Sequence, residues 1–167
     1  VKNDKKFSNI FGKNKGKSSR KPFSSSEIDL LWRHASNIDF IDTILIMIYS
    51  GLRIGELLEI KTENVDLFDR TITGGLKTEA GKNRLVPIHT KIFEFIKIRM
   101  ENNNTNYLIH NAFGKQMKYS NYLREKFVPI MEQLNMNHKP HDCRHTFATL
   151  LNNAEANSTS IKKLIGH

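Results

Sequence analysis

Apolar positions recur at helical spacing along most of the chain. Ser24, followed three residues on by Glu27, forms a capping box, and Phe23 with Ile28 forms the hydrophobic staple around it. Together they predict a helix that opens the folded body at Phe23 and runs to about Ser36. The next segment, Phe40 to Ser50, is apolar nearly all round (Ile41, Ile44, Leu45, Ile46, Met47, Ile48). That is the mark of a helix buried in mid-core, and Gly51 is its natural stop. A third helix is predicted from near Arg53. After Asp66 the period shortens: Arg70 to Leu76 and Arg84 to Ile88 read as two strands rich in Thr, Ile and Val. A polar loop holding Thr78, Glu79, Ala80, Gly81 and Lys82 joins them into a hairpin. Helical spacing returns at Thr90 to Glu101 and at Tyr119 to Leu134. Pro140 is expected to stop the chain ahead of a helix from Asp142 to about Ala154, and Ser158 or Ser160 to cap a last one. The expected fold is mainly α with a small antiparallel β-hairpin or sheet, an α+β domain without internal repeats.

The third helix breaks its own pattern. At about 100° per residue, Ile54, Leu57, Leu58 and Ile60 define an apolar face, and Arg53 is expected to point into it. Two readings fit: a helical ion pair with Glu56 at i+3, or an arginine held by Glu56 at the edge of a cleft with its fork kept for an anion. The helix from Asp142 repeats the anomaly, with Cys143, Phe147, Leu150 and Leu151 as the buried stripe and Arg144 projecting into its flank, close to His141. Buried guanidinium groups cost several kcal/mol unless matched, so two of them beside a histidine fit one phosphate better than two unrelated accidents of packing. Cys143 reads as a small core residue, since nothing near it in sequence marks an activated thiol.

Composition narrows the class. A chain of 167 residues with 38% hydrophobic content holds one domain's core. No unbroken apolar run is long enough to cross a bilayer, and Lys2, Lys5 and Lys6 are followed by no apolar signal core, so a soluble cytoplasmic protein without membrane association is expected. A single cysteine excludes an internal disulfide and every cysteine-cluster zinc site. The formal net charge of +9 is unevenly placed. Residues 1–22 hold eight basic side chains (Lys2, Lys5, Lys6, Lys13, Lys15, Lys17, Arg20, Lys21) against the one acid Asp4, which leaves the remainder nearly balanced. With its Gly, Ser and Asn content this stretch is expected to be a basic flexible linker, able to touch phosphate, ahead of a domain over 23–167.

Other chemistries find less support. Gly74-Gly75 lies inside the hairpin rather than opening a helix, so no phosphate loop of the nucleotide-binding kind is present, and no Ser-His-Asp signature occurs. His138, His141 and His145 have spacings that could ligate zinc, but Pro140 breaks any shared helical face between His138 and the other two. No metal or other cofactor is therefore expected. His34, His89 and His110 read as surface or loop residues.

Four segments then occur in order: Ser50-Gly51-Leu52-Arg53-Ile54-Gly55-Glu56-Leu57-Leu58; Lys77-Thr78 ahead of Arg84-Leu85-Val86-Pro87-Ile88; His141-Asp142-Cys143-Arg144-His145-Thr146-Phe147-Ala148-Thr149; and Leu164-Ile165-Gly166-His167. Residues 23–167 thus resemble the catalytic domain of the tyrosine recombinase (phage integrase) family, and the Lys-Thr hairpin looks most like integrases of conjugative transposons and related phages, mobile elements of bacteria. The resemblance implies that Arg53 and Arg144 bind the scissile phosphate of double-stranded DNA, that Lys77 protonates the leaving 5′ oxygen, and that His141 and His167 complete the pocket. Glu56 is the implied supporting acid, and Lys82 the other candidate for the proton donor. Lys82 and Arg84, with Lys13, Lys15, Lys17, Arg20 and Lys21 of the tail, are the expected contacts to DNA.

In that family the nucleophile is a tyrosine shortly after the last motif. Tyr49, Tyr107, Tyr119 and Tyr122 fall elsewhere and read as core, loop or surface residues. The nucleophile is thus expected beyond His167, a DNA core-binding domain is expected ahead of the tail, and this fragment alone is expected to be inactive, the full-length protein acting as a homo-oligomer, a tetramer on DNA. A type IB topoisomerase would use nearly the same residues, and a non-catalytic basic module would hold phosphates only for position. If the tail touches DNA, deleting residues 1–22 should make the salt dependence of binding shallower, by about 0.9 in log-log slope for each phosphate that the tail neutralises. An unchanged slope would show the tail to be a tether.

Overall fold

The computed structural model describes residues 21–74 and 83–154. The hairpin tip with Lys77 and Lys82, the tail positions Lys13, Lys15, Lys17 and Arg20, the last expected helix and His167 lie outside the described residues, whereas Lys21 is exposed ahead of the first helix.

Helix α1 (Ser25–His34) starts as its sequence dictates: the Ser24 side chain accepts from the Glu27 N–H at 3.2 Å, and the Ser24 N–H donates back to Glu27 at 2.8 Å. Helix α2 (Ile41–Ser50) is the centre of the molecule, with Ile41, Ile44, Leu45, Ile46, Met47 and Ile48 fully buried and α1, α4 (Thr90–Glu101) and α7 (Pro140–Asn153) packed around it. Each such side chain contributes on the order of 1.5–3 kcal/mol by leaving water. Its one buried hydroxyl near the N-terminus is satisfied, since Thr43 donates to the Phe40 carbonyl and shares a 2.7 Å hydrogen bond with the hydroxyl of buried Tyr122.

Gly51 ends α2 in the left-handed region at φ 70°, as expected of a C-terminal glycine. Only glycine serves there for a second reason: a Cβ would lie 2.3 Å from a ring carbon of Phe147 on α7. The chain then turns into α3 (Ile54–Glu59), and a 3₁₀ turn (Thr62–Asn64) leads to the sheet. The sheet has three antiparallel strands in the order β1 (Val65–Asp66), β2 (Thr71–Gly74), β3 (Arg84–Pro87). The expected hairpin is therefore joined by a short third strand, which two residues of sequence are too few to announce. Across the hairpin Ile72 pairs with Val86 on the buried face and Gly74 with Arg84, while Leu85 turns outward.

Two prolines shape the helical half. The expected single helix from Tyr119 to Leu134 is α5 (Tyr119–Tyr122), a π turn (Leu123–Phe127) and α6 (Val128–Gln133). Pro129 has no N–H and crowds the carbonyl one turn back, and the wider turn before it, closed by the Val128 N–H on the Leu123 carbonyl, accommodates the ring. Pro140 does not stand in front of α7 but is its first residue, where the missing N–H would have no helical partner and the fixed φ suits the helix. His141 therefore lies in the first turn of α7 rather than before it. Among the described residues no helix is long and apolar enough to cross a membrane.

Gly51→Ala combines a strained φ with a collision against Phe147, so urea denaturation should show a loss of roughly 2 kcal/mol or more. Adding Phe147→Leu should recover the steric part of that loss and leave the backbone part.

Candidate phosphate pocket

The turn between α2 and α3 places Arg53 as the residue capping α3, with extended backbone (φ −72°, ψ 153°) rather than on the helix face that its spacing suggested. An arginine side chain cannot accept a hydrogen bond, so the cap is supplied from the other side: Glu56 accepts the Arg53 N–H at 2.8 Å and approaches the Arg53 guanidinium at 3.5 Å. The i+3 ion pair exists, and Arg53 stands at a cleft with its side chain one-third exposed.

Arg144 is among the most buried residues of α7, 4% exposed, whereas Phe147, Leu150 and Leu151 of the expected stripe are only half-buried. Its Nη1 donates to the Gly51 carbonyl at 2.8 Å, so the glycine turn that ends α2 also fixes this guanidinium. Burial, with Arg53 and Arg84 nearby, pulls Arg144 down to about 10, against the favourable influence of Glu56.

Arg84 belongs to the same cluster. Expected as a DNA contact at the mouth of the hairpin, it has a side chain only 8% exposed and donates to Glu56 at 3.4 Å. The reason is the strand period: residues 84, 86 and 88 share one face, and Val86 and Ile88 are buried on it. Alternation alone would have placed Arg84 inward.

His141 meets this cluster from the start of α7. It lines, with Arg53, Ile54, Gly55, Tyr119 and Pro140, a cleft of about 300 Å³. Burial, then His145, Arg144 and Arg53, hold its imidazole below the ordinary histidine range, with Asp142 opposing them; the His145 ring stands edge-on at 4.6 Å. Tyr119, half-exposed at this cleft, is a lining residue that no sequence signal marked. Tyr122 is core, Tyr49 half-buried, and Cys143 fully buried with its thiol pushed up by burial, in keeping with a packing role.

The start of α7 is bolted in place by His138. Its ring stacks on Phe23 at 3.9 Å, and its two nitrogens face Glu27 at 2.9 Å and Asp142 at 3.1 Å. Both nitrogens being engaged, His138 is not available to join His141 and His145 around a metal. Glu27 is held below its ordinary value although burial opposes this, because the Ser24 N–H and His138 outweigh it.

Arg53, Arg84, Arg144, Glu56 and His141 are thus gathered from four segments distant in sequence: the α2–α3 corner, α3, β3 and α7. Arg53 and Arg84 both contact the Glu56 carboxylate, Arg144 lies within their electrostatic reach, and the group stands beside an open cleft. Guanidinium forks in such an arrangement can donate to the oxygens of an oxyanion. A larger cavity of about 550 Å³ between α1, α2 and α4 is lined by Trp32, Phe40, Phe95 and Leu108 and contains none of these groups.

The comparisons with known proteins follow the same lines. The chain is 29% identical over 137 residues to the tyrosine recombinase XerD of Staphylococcus saprophyticus, covering 75% of this chain and 45% of that protein. It is 32% identical over 139 residues to XerC of the same organism, covering 74% of this chain and 44% of the relative. It spans about half the length of the curated relatives it matches. Among solved structures, the Tn1549 transposon integrase in complex with circular intermediate DNA superposes with a TM-score of 0.78 at 21% identity, over 92% of this chain and 59% of that one. The crystal structure of XerA recombinase gives a TM-score of 0.72 at 23% identity, over 88% of this chain and 56% of that one. These likenesses share the mostly helical fold with its small sheet. The family described as Phage integrase family matches residues 22–167, and with the pocket and fold in agreement the chain belongs to that family of tyrosine recombinases.

Proposed function

We propose that this chain is the catalytic domain of a site-specific DNA recombinase that cleaves and rejoins strands through a 3′-phosphotyrosyl link. The observation that carries the reading is the convergence of Arg53 and Arg84 on the carboxylate of Glu56, with buried Arg144 and His141 close by. A module that merely rests on the DNA backbone would present exposed cations; burying mutually repelling guanidinium groups is worthwhile only where an oxyanion must be held in a fixed geometry. In-line attack on a phosphodiester gathers charge on the non-bridging oxygens, and the forks of Arg53 and Arg144 are placed to stabilise it.

In the mechanism that follows, a tyrosine hydroxyl attacks phosphorus, the P–O5′ bond breaks, and the 5′ oxygen leaves with a proton from Lys77, with Lys82 the other candidate. His141 donates an imidazole N–H to the phosphate, and His167 completes the pocket. A partner strand's 5′-hydroxyl then displaces the tyrosine. Exchange between paired sites makes the working form a homo-oligomer, a tetramer on double-stranded DNA. The Tn1549 integrase complex with circular intermediate DNA supports this choice of substrate.

Protein-linked DNA on a denaturing gel tests the reading. The complete polypeptide of the gene, incubated with a pool of nicked duplexes, should form an adduct, and Arg144→Lys, which keeps the charge but loses the fork, should slow it by about 10²–10³-fold. The 167-residue chain should form none; an adduct from it would assign the nucleophile to one of its own four tyrosines.

The pH dependence of binding is a second check. His141 starts below the ordinary histidine value, and a bound phosphate offsets the arginines and raises it. Between the two values binding takes up a proton, so affinity for a short duplex should rise as pH falls through that interval and level off below it. His141→Gln should flatten this part of the profile.

A further inference from the structure

Arg84 is the cation of the cluster that the sequence reading took only as a contact to DNA, although its side chain is buried. It stands on the buried face of β3 directly opposite Gly74 on β2. Its Nη2 reaches Glu56 Oε2 at 3.4 Å, the same oxygen that accepts the Arg53 N–H at 2.8 Å, while the Arg53 guanidinium approaches the other oxygen at 3.5 Å. The remaining donors of Arg84, Nε and Nη1, are buried and have no hydrogen-bond partner among the described residues.

The arrangement has a definite electrostatic effect. A carboxylate that is 3% exposed and faced Arg53 alone would close on that guanidinium and occupy the fork needed for phosphate. Here the Arg53 N–H holds one carboxylate oxygen at 2.8 Å while the guanidinium groups of Arg53 and Arg84 approach from two sides at 3.5 and 3.4 Å, so the carboxylate does not close on the Arg53 fork. The same ion pair ties the hairpin base to α3. Resting on the recombinase reading above, we propose that Arg84 is a positioning residue that acts through Glu56: it keeps the Arg53 fork open for the scissile phosphate, without itself binding DNA.

The test is a double-mutant cycle in the complete polypeptide, with Arg84→Met, Glu56→Gln and the pair. It is read as the single-turnover rate of adduct formation on saturating nicked duplex and as the salt dependence of non-covalent binding. Arg84→Met should slow cleavage by about 100-fold, the scale of a misplaced reacting group, with an unchanged salt slope. Arg84→Met added to Glu56→Gln should cost little more than Glu56→Gln alone, and Arg84→Lys should recover part of the rate. Additive losses, or a slope reduced by about 0.9, would overturn the proposal by making Arg84 a direct phosphate ligand.

A readout without catalysis separates this from the recombinase reading. In the 167-residue chain, the side-chain Nε–H resonance of Arg53 should shift on Arg84→Met and on Glu56→Gln, with Arg84→Lys shifting it less. An Arg53 signal indifferent to Arg84→Met in a folded variant would overturn the coupling. A wild-type polypeptide that forms no adduct but shows these shifts would fault the assigned reaction and leave the positioning role standing.

Discussion

Gly51 must satisfy two demands at one residue: its backbone turns left-handed to end the central helix, and its missing side chain leaves room for the Phe147 ring. Because α7 can then approach this closely, the carbonyl that α2 would otherwise leave unpaired is met by Arg144. A contact of main chain with guanidinium therefore joins the packing of the core to the geometry of the pocket. Anything that pushes α7 away from α2 loosens both at once, which is why the pocket cannot be regarded as an attachment to a separately stable scaffold.

The electrostatic cost of the pocket is borne by few groups. One buried carboxylate answers to Arg53 and Arg84, and the value of Arg144 is depressed first by burial and then by the nearby Arg53 and Arg84. In the proposed function a phosphate would relieve part of this repulsion as well as form hydrogen bonds. The fold contains the strain by anchoring each partner elsewhere: Arg144 on the Gly51 carbonyl, Glu56 on the Arg53 N–H, and the start of α7 on the His138 contacts with Glu27 and Asp142. Each anchor is short and local to the cluster.

Much of this was legible in the sequence, for identifiable reasons. The capping box at Ser24, the all-round apolar run of α2 and the span of α4 depend on near-neighbour spacing, which the chain displays directly. Arg53, Glu56, His141 and Arg144 stood out as polar groups placed against apolar faces or carried by the motif resemblance. What escaped was set by partners distant in sequence. The proline at 140 has the same local signature whether it stops a segment or starts a helix, and only the packed start of α7 decides. Strand β1 is too short for a period, and the π turn answers a proline inside a pattern that otherwise reads as one helix. Arg84 was legible too, but only if alternation along β3 was followed through to a charged residue.

The cross-strand pairing of Gly74 with Arg84 also bears on how such a domain can vary over evolutionary time. The register is fixed on the buried side by Ile72 against Val86, so the two ends of the intervening loop are held regardless of what lies between them. Lengthening a closed loop costs little, about 0.6 kcal/mol for each doubling. A change of length between these two residues is therefore compatible with an unchanged register at Arg84 and an unchanged contact with the carboxylate it shares.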